Sequence, residues 1–119
     1  MKSIDVVAIP VSDQKRAMAF YSLLGFELLA ENEMGNSRRW VQMGFKGAQT
    51  TITLVTWFKQ MPPGSMQGLV IRTDNFDEDL KELRDKGIEI TRVEKTEGGK
   101  FASFKDLDGN GLSLHQRVE

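Results

Sequence analysis

The sequence predicts an α+β protein made of two tandem β-α-β-β-β modules. Three observations predict it. First, the chain repeats itself without gaps at a spacing of 62 residues: Val7-Ala8-Ile9 falls on Leu69-Val70-Ile71, and Gly25-Phe26-Glu27-Leu28 on Gly87-Ile88-Glu89-Ile90. Second, each copy carries the same order of features: apolar strand, polar cap, amphipathic helix, glycine stop, then strands. Third, the apolar spacing switches from the two-residue period of a strand to the i, i+3, i+4, i+7 period of a helix at matching places in both copies. A repeat of this length is too long for a solenoid unit, and two copies are too few for one. It reads as a duplicated half-domain within residues 1–119, with module 1 at about 1–58, a linker at about 59–66 and module 2 at about 67–119.

In module 1, residues 4–11 are β-rich and apolar and read as a strand. Pro10 has no N–H to donate and belongs near an edge or a strand end. Ser12 or Asp13 caps a helix reaching about Leu24. Its apolar positions Ala17, Phe20, Tyr21 and Leu24 make one buried face, and Gly25 ends it as a left-handed cap. Strands follow at 26–32, 38–43 and 50–57, broken by Gly35-Asn36 and by Gly44 to Gly47. Lys59 to Met66, with Pro62-Pro63-Gly64, is the linker.

Module 2 repeats the plan. A strand is expected at about 67–73, with Asp74-Asn75 as the polar cap. A helix follows at about 76–86, with Phe76, Leu80 and Leu83 buried and Gly87 as its stop. Strands are expected near 88–94, 100–105 and 111–117. The stretch 94–99 reads as a charged loop holding Gly98-Gly99. Asp106-Leu107-Asp108-Gly109-Asn110 reads as a tight turn, with Asp and Asn for side-chain-to-backbone bonds and Gly for positive φ. The acidic and basic residues from Asp77 to Asp85 are spaced for an exposed helix face with i, i+4 pairs, not for a pair of catalytic carboxylates.

Composition excludes several functions. Net charge is −1, so no basic face is advertised and nucleic acid is not an expected partner. The chain has no cysteine, which removes disulfides, thiolate metal sites and a cysteine nucleophile. No apolar run is long enough for a membrane span and no signal-peptide pattern is visible, so the expected location is cytoplasmic and no membrane partner is expected. There is no phosphate-binding glycine-rich loop and no zinc-protease helix.

Several motifs in order resemble the vicinal oxygen chelate superfamily, the fold of glyoxalase I, bleomycin-resistance proteins, fosfomycin-resistance transferases and extradiol dioxygenases. They are Val11-Ser12-Asp13, Ala19-Phe20-Tyr21 with Leu24-Gly25-Phe26, and Phe104-Lys105-Asp106-Leu107-Asp108-Gly109-Asn110, where the family usually has Pro at the position of Leu107. The resemblance spans nearly the whole chain. It implies that the two modules form a cupped mixed sheet with helices on the outer face. It also implies a divalent metal in that cup, held by a His on each module's first strand and a Glu on the last strand. The matching positions here are Val6, Gly68 and Ser113. None of these is a good metal donor, and Thr51 and Thr53 are at best weak neutral ligands. The expectation is therefore no metal and no cofactor.

Strand alternation assigns the remaining faces. Val7, Ile9, Val11, Ile52, Leu54, Leu112 and Leu114 are expected to face the helices. Val6, Ala8, Trp40, Gln42, Thr51, Thr53, Phe101, Ser103, Ser113 and His115 are then expected in the cup. Such a mixture of aromatic, hydroxyl, amide and imidazole groups is typical of a small-molecule pocket. Trp40, Gln42, Thr51, Thr53, Phe101, Ser103, Ser113 and His115 are the candidate ligand-binding residues; no catalytic residue is assigned. Trp40 either stacks on a ligand or fills a dimer seam. Of Arg38 and Arg39, at most one points inward as an anion clamp. Trp57, Phe58, Met61, Pro62 and Pro63 form an apolar cluster suited to packing between modules or subunits. Together with open sheet edges, that cluster predicts a homodimer.

The expected function is metal-independent binding of a small organic molecule. The alternatives are a glyoxalase-class lyase or dioxygenase-like enzyme with atypical or absent metal ligands, and a scaffold that binds nothing.

Overall fold

A computed structural model describes residues 1–118. The chain divides into two compact units, Met1–Met66 and a second beginning at Gln67. Unit 1 contains β1 (Val6–Pro10), α1 (Gln14–Leu23), β2 (Glu27–Gly35), β3 (Arg38–Gly44) and β4 (Thr51–Val55). Unit 2 contains β5 (Leu69–Arg72), α2 (Phe76–Asp85), β6 (Arg92–Thr96), β7 (Gly99–Lys105) and β8 (Gly111–Gln116). Each unit is thus β-α-β-β-β. Its first and last strands pair in parallel and the rest antiparallel, in the orders β1-β4-β3-β2 and β5-β8-β7-β6. Among the described residues, no helix is long and apolar enough to cross a membrane.

The two helices fall at the same positions of the repeat. The Asp13 side chain caps α1 by accepting from the Arg16 N–H at 3.1 Å. At the other end, Phe26 donates to Tyr21 O and Gly25 to Ser22 O, with φ +103° at Gly25. This is a Schellman closure, and α2 repeats it with Ile88 to Leu83 O and Gly87 to Arg84 O. The start of α2 differs from expectation. Asn75 occupies the cap position, but its side chain makes no capping bond. The Thr73 hydroxyl accepts from the Asn75 N–H, and Oε1 of Gln116 on β8 accepts from the Phe76 N–H at 2.8 Å. A side chain from the last strand thus satisfies a helix donor that sequence reading gives to the residue beside it.

Each helix covers one face of its sheet. In unit 1, Ile9, Val41, Met43, Ile52 and Leu54 are buried with Ala17, Phe20 and Tyr21 of α1. Leu24 and Val7, both expected in this core, are only half-buried. An aromatic chain runs by edge-to-face contacts from Phe20 through Tyr21 to Phe26 (5.5 and 5.4 Å between centroids) and on to Phe45, tilted, at 4.1 Å. In unit 2, Ala102, Phe104, Leu112 and Leu114 are buried with Phe76, Leu80, Leu83 and Ile88. The charged run of α2 lies outward as expected, with Lys81 bonded to Asp85 one turn on at 2.9 Å. That hydrogen bond and the Asp85 charge hold the Lys81 ammonium above the usual lysine range.

Two boundaries move. The strand expected near 88–94 begins only at Arg92, because Ile88 is spent on closing the helix and is buried there. The stretch 94–99, expected as a loop, is instead a hairpin: β6 runs to Thr96, and β7 starts at Gly99, which pairs with Thr96. The matching β2–β3 hairpin of unit 1 turns at Asn36-Ser37, both at positive φ (53° and 62°), which suits the twist of the paired strands. The turn at 106–110 forms as read. Oδ1 of Asp106 accepts from the N–H groups of Asp108 and Asn110, both at 2.9 Å, and Oδ2 from the Asn110 side-chain amide at 2.8 Å.

Candidate functional site

Alternation along the strands leaves each sheet a second face, away from its own helix. In unit 1 this face carries Arg38, Trp40 and Gln42 on β3 and Thr51, Thr53 and Val55 on β4. Gln42 lies directly opposite Thr53 in the ladder. Hydrogen bonds join three of the four predicted residues into one relay. Trp40 Nε1 donates to Gln42 Oε1 at 3.1 Å, Gln42 Nε2 donates to Thr51 Oγ1 at 2.9 Å, and Thr51 Oγ1 donates to the Asp5 carbonyl at 3.2 Å. The indole N–H can only donate, so the order fixes the amide: oxygen toward Trp40, nitrogen toward Thr51. Gln42 keeps one further N–H and one lone pair. Thr53 stands apart from the relay, its hydroxyl donating to the Val41 carbonyl at 2.9 Å. Thr51 and Thr53 are 8% and 4% exposed, whereas Trp40 and Gln42 are half-buried.

In unit 2 the corresponding face carries Phe101 and Ser103 on β7 and Ser113 and His115 on β8. Two cross-strand pairs hold them, Phe101 with His115 and Ser103 with Ser113. The Phe101 and His115 rings stack at 4.2 Å with 8° between planes. His115 Nε2 lies 3.3 Å from the Gly98 carbonyl, which favours the tautomer protonated there. The Ser103 and Ser113 hydroxyls have no hydrogen-bond partner among the described residues, and both side chains are half-buried. All eight predicted residues therefore lie on the helix-free face of their own sheet, four in each unit.

Sequence reading missed two neighbours. Val70 and Arg72 of β5 pair with Ser113 and His115 and so share their face. Val70 is 53% exposed, and Arg72 is 3.3 Å from Asp74. The repeat already carried the signal, since Val70 falls on Ala8, which parity places on this face in unit 1. The arginine pair on β3 is resolved by alternation. Arg39 points to the other side, where it meets Glu31 at 2.7 Å and Glu33 at 3.6 Å. Arg38 shares the face of Trp40, with its guanidinium carbon 5.8 Å from the Trp57 ring centroid.

The residues at the expected metal positions do not fit a divalent ion. Val6 offers an alkyl group, Gly68 no side chain and Ser113 one neutral hydroxyl, where an imidazole–carboxylate set is needed. Among the described residues, no group of three or more His, Cys, Asp or Glu is placed to hold a metal.

Comparison with known proteins gives this arrangement a context. The sequence model of the Glyoxalase/Bleomycin resistance protein/Dioxygenase superfamily matches residues 3–114. The crystal structure of TnmS3, an antibiotic binding protein from Streptomyces sp. CB03234, superimposes with a TM-score of 0.93 at 41% identity, covering 99% of this chain and 98% of that one. A glyoxalase/bleomycin resistance protein from the same Streptomyces strain gives a TM-score of 0.86 at 43% identity, covering 96% of this chain and all (100%) of that one. An uncharacterized Bacillus subtilis protein, YetH, is 33% identical over 98% of this chain and 99% of its own length.

Proposed function

We propose that this chain, which belongs to the Glyoxalase/Bleomycin resistance protein/Dioxygenase superfamily, binds a small organic molecule without using a metal ion. Each unit offers its own candidate contacts on its helix-free face: Trp40, Gln42, Thr51 and Thr53 in unit 1, and Phe101, Ser103, Ser113 and His115 in unit 2. One observation carries the reading: on the unit 2 face, two half-buried serine hydroxyls without protein partners sit beside a stacked Phe101–His115 pair. Unpartnered polar groups beside an aromatic surface have the character of ligand-binding walls, apolar with a few placed donors and acceptors. Likeness to an antibiotic binding protein over nearly the whole length supports the same reading. The donor-poor set Val6, Gly68 and Ser113 favours binding over the metal-dependent chemistry of the superfamily.

Further parts of the reading are a cytoplasmic location and a homodimer. The β2 strand supports the dimer. It lies at the edge of its unit's sheet and leaves Leu28, Leu29 and Met34 roughly half exposed (46%, 51% and 50%).

A thermal-shift screen with aromatic drugs, cationic drugs, aldehydes and glutathione adducts tests the function, run beside elemental analysis of the purified protein. A ligand that binds only the folded state at a hundredfold excess over Kd stabilises it by about 2.7 kcal/mol, a shift easily read. The expected result is a stabilising compound from the drug sets, no stoichiometric metal and a melting temperature unmoved by chelator. About one metal per chain, with loss of stability on chelation, overturns the proposal in favour of an enzyme. Light scattering is expected to give twice the monomer mass; a monomer at micromolar concentration contradicts the dimer.

A further inference from the structure

We propose that Arg38 and Trp57 extend the unit 1 face into a subsite selective for a flat aromatic ligand bearing a negative group; this rests on the reading above that the face binds a small organic molecule. Two adjacent arginines meet unequal surroundings. Arg39 is neutralised by Glu31 and Glu33 on the helix side of β3. Arg38 is exposed and has no carboxylate partner among the described residues. Its cation lies instead over the Trp57 ring, 5.8 Å from the centroid, near the outer limit of a cation–π contact.

Arg38 belongs to the same alternating row as Trp40 and Gln42, so the cation stands at one end of the face that the relay organises. Phe58 meets Trp57 at 6.1 Å between centroids. Next to them opens a recess of about 520 Å³, lined by Trp57, Phe58, Lys59, Gln60 and Met61. Its wall is aromatic and thioether surface, and its one charged group is another cation, Lys59. No carboxylate lines it.

A flat ring packs against Trp57 and Phe58 by offset or edge contact. A carboxylate or sulfonate on that ring meets the guanidinium fork in the planar, two-bond geometry for which arginine is suited. A cationic ligand would face Arg38 and Lys59 with no compensating anion. On a chain of net charge −1, this positive spot is local, so the selectivity belongs to the subsite rather than to the overall field of the protein.

Three matched probes test the assignment: 2-naphthoate, 2-naphthalenemethanol and 2-naphthylmethylammonium. Binding is read by tryptophan fluorescence and by calorimetry, in the wild-type protein and in Arg38→Gln, Trp57→Leu and Gln42→Leu, with circular dichroism confirming that each variant folds. The wild type is expected to bind the naphthoate about tenfold more tightly than the alcohol, and the ammonium most weakly. In Arg38→Gln, an exposed and therefore mild substitution, the preference collapses to within about twofold because naphthoate alone weakens. Trp57→Leu weakens naphthoate and alcohol together, by roughly three- to tenfold.

Alcohol and naphthoate binding alike, both lost in Gln42→Leu, overturns the anionic subsite but leaves the binding face standing. A naphthoate preference that survives Arg38→Gln also overturns the subsite. So does a Trp57→Leu variant that changes subunit association without weakening either probe, which would make Trp57 an interface residue. Failure of all three probes to bind the wild type at millimolar concentration overturns the subsite, while a drug-screen ligand whose binding is lost in Ser113→Ala would keep the broader reading.

Discussion

The helix-free faces of the two units share one strand order and are finished differently. In unit 1 the polar groups are wired together: Trp40 to Gln42, Gln42 to Thr51, Thr51 to a backbone carbonyl, and Thr53 to another. In unit 2 the equivalent strands carry Ser103 and Ser113 with open hydroxyls, next to two stacked rings. The corresponding β4 and β8 positions make the contrast plain. Thr51 falls on Ser113 and Thr53 on His115, so two engaged and buried threonines stand where unit 2 has a free serine and a half-exposed imidazole. A wired polar network is rigid and costly to break, while an unwired one costs little to change and leaves its bonding capacity for a ligand. One face is therefore held rigid by its own bonds, and the other keeps its side-chain bonding capacity open.

The largest expected effect lies outside this contrast and shows what both faces rest on. Leu54→Ala and Leu114→Ala each remove a core side chain on the helix side, 0% and 5% exposed. Each is expected to cost about 2–5 kcal/mol in urea unfolding, in unit 1 and unit 2 alike. Next comes Gly99→Ala, at the start of β7. Its backbone has φ +125°, and a Cβ there would collide with the Gln116 carbonyl oxygen. A loss of about 2–3 kcal/mol is expected, because backbone must move to admit it.

Gln42→Leu tests the contrast itself. It strands the Trp40 N–H and removes the donor to Thr51, and is expected to cost about 1–3 kcal/mol. Ser103→Ala and Ser113→Ala are expected to change stability by less than about 0.5 kcal/mol while weakening any ligand found in the screen. Equal losses from Gln42→Leu and Ser113→Ala would erase the distinction between the two faces.

Much of this was legible in the sequence, for identifiable reasons. The repeat located α1 and α2 because their left-handed glycines, Gly25 and Gly87, and the Asp13 cap of α1 are local signals. Two-residue alternation sorted Leu112 and Leu114 from Ser113 and His115, because a strand buried on one side must alternate; the same period separated Ile52 and Leu54 from Thr51 and Thr53, although β4 is buried along its whole length. The misses concern partners supplied from elsewhere. Nothing near Asn75 says that Gln116 will satisfy the α2 terminus, some 40 residues away along the chain. Nothing near Arg38 says that Glu31 and Glu33 will take Arg39 and leave Arg38 to the Trp57 ring. Likewise, the spending of the Thr53 hydroxyl on the Val41 carbonyl depends on the β3–β4 register, which residue type does not encode.

The most direct test of the central claim is amide chemical-shift mapping of the protein titrated with a ligand from the screen. Shifts are expected to concentrate at the helix-free positions, Trp40, Gln42, Thr51 and Thr53 in unit 1 and Phe101, Ser103, Ser113 and His115 in unit 2. Their alternating neighbours Val41, Met43, Ile52, Ala102, Leu112 and Leu114 should move less, without added metal and unchanged by chelator. Shifts that concentrate on the helix-facing set, or that require a divalent ion, would contradict it.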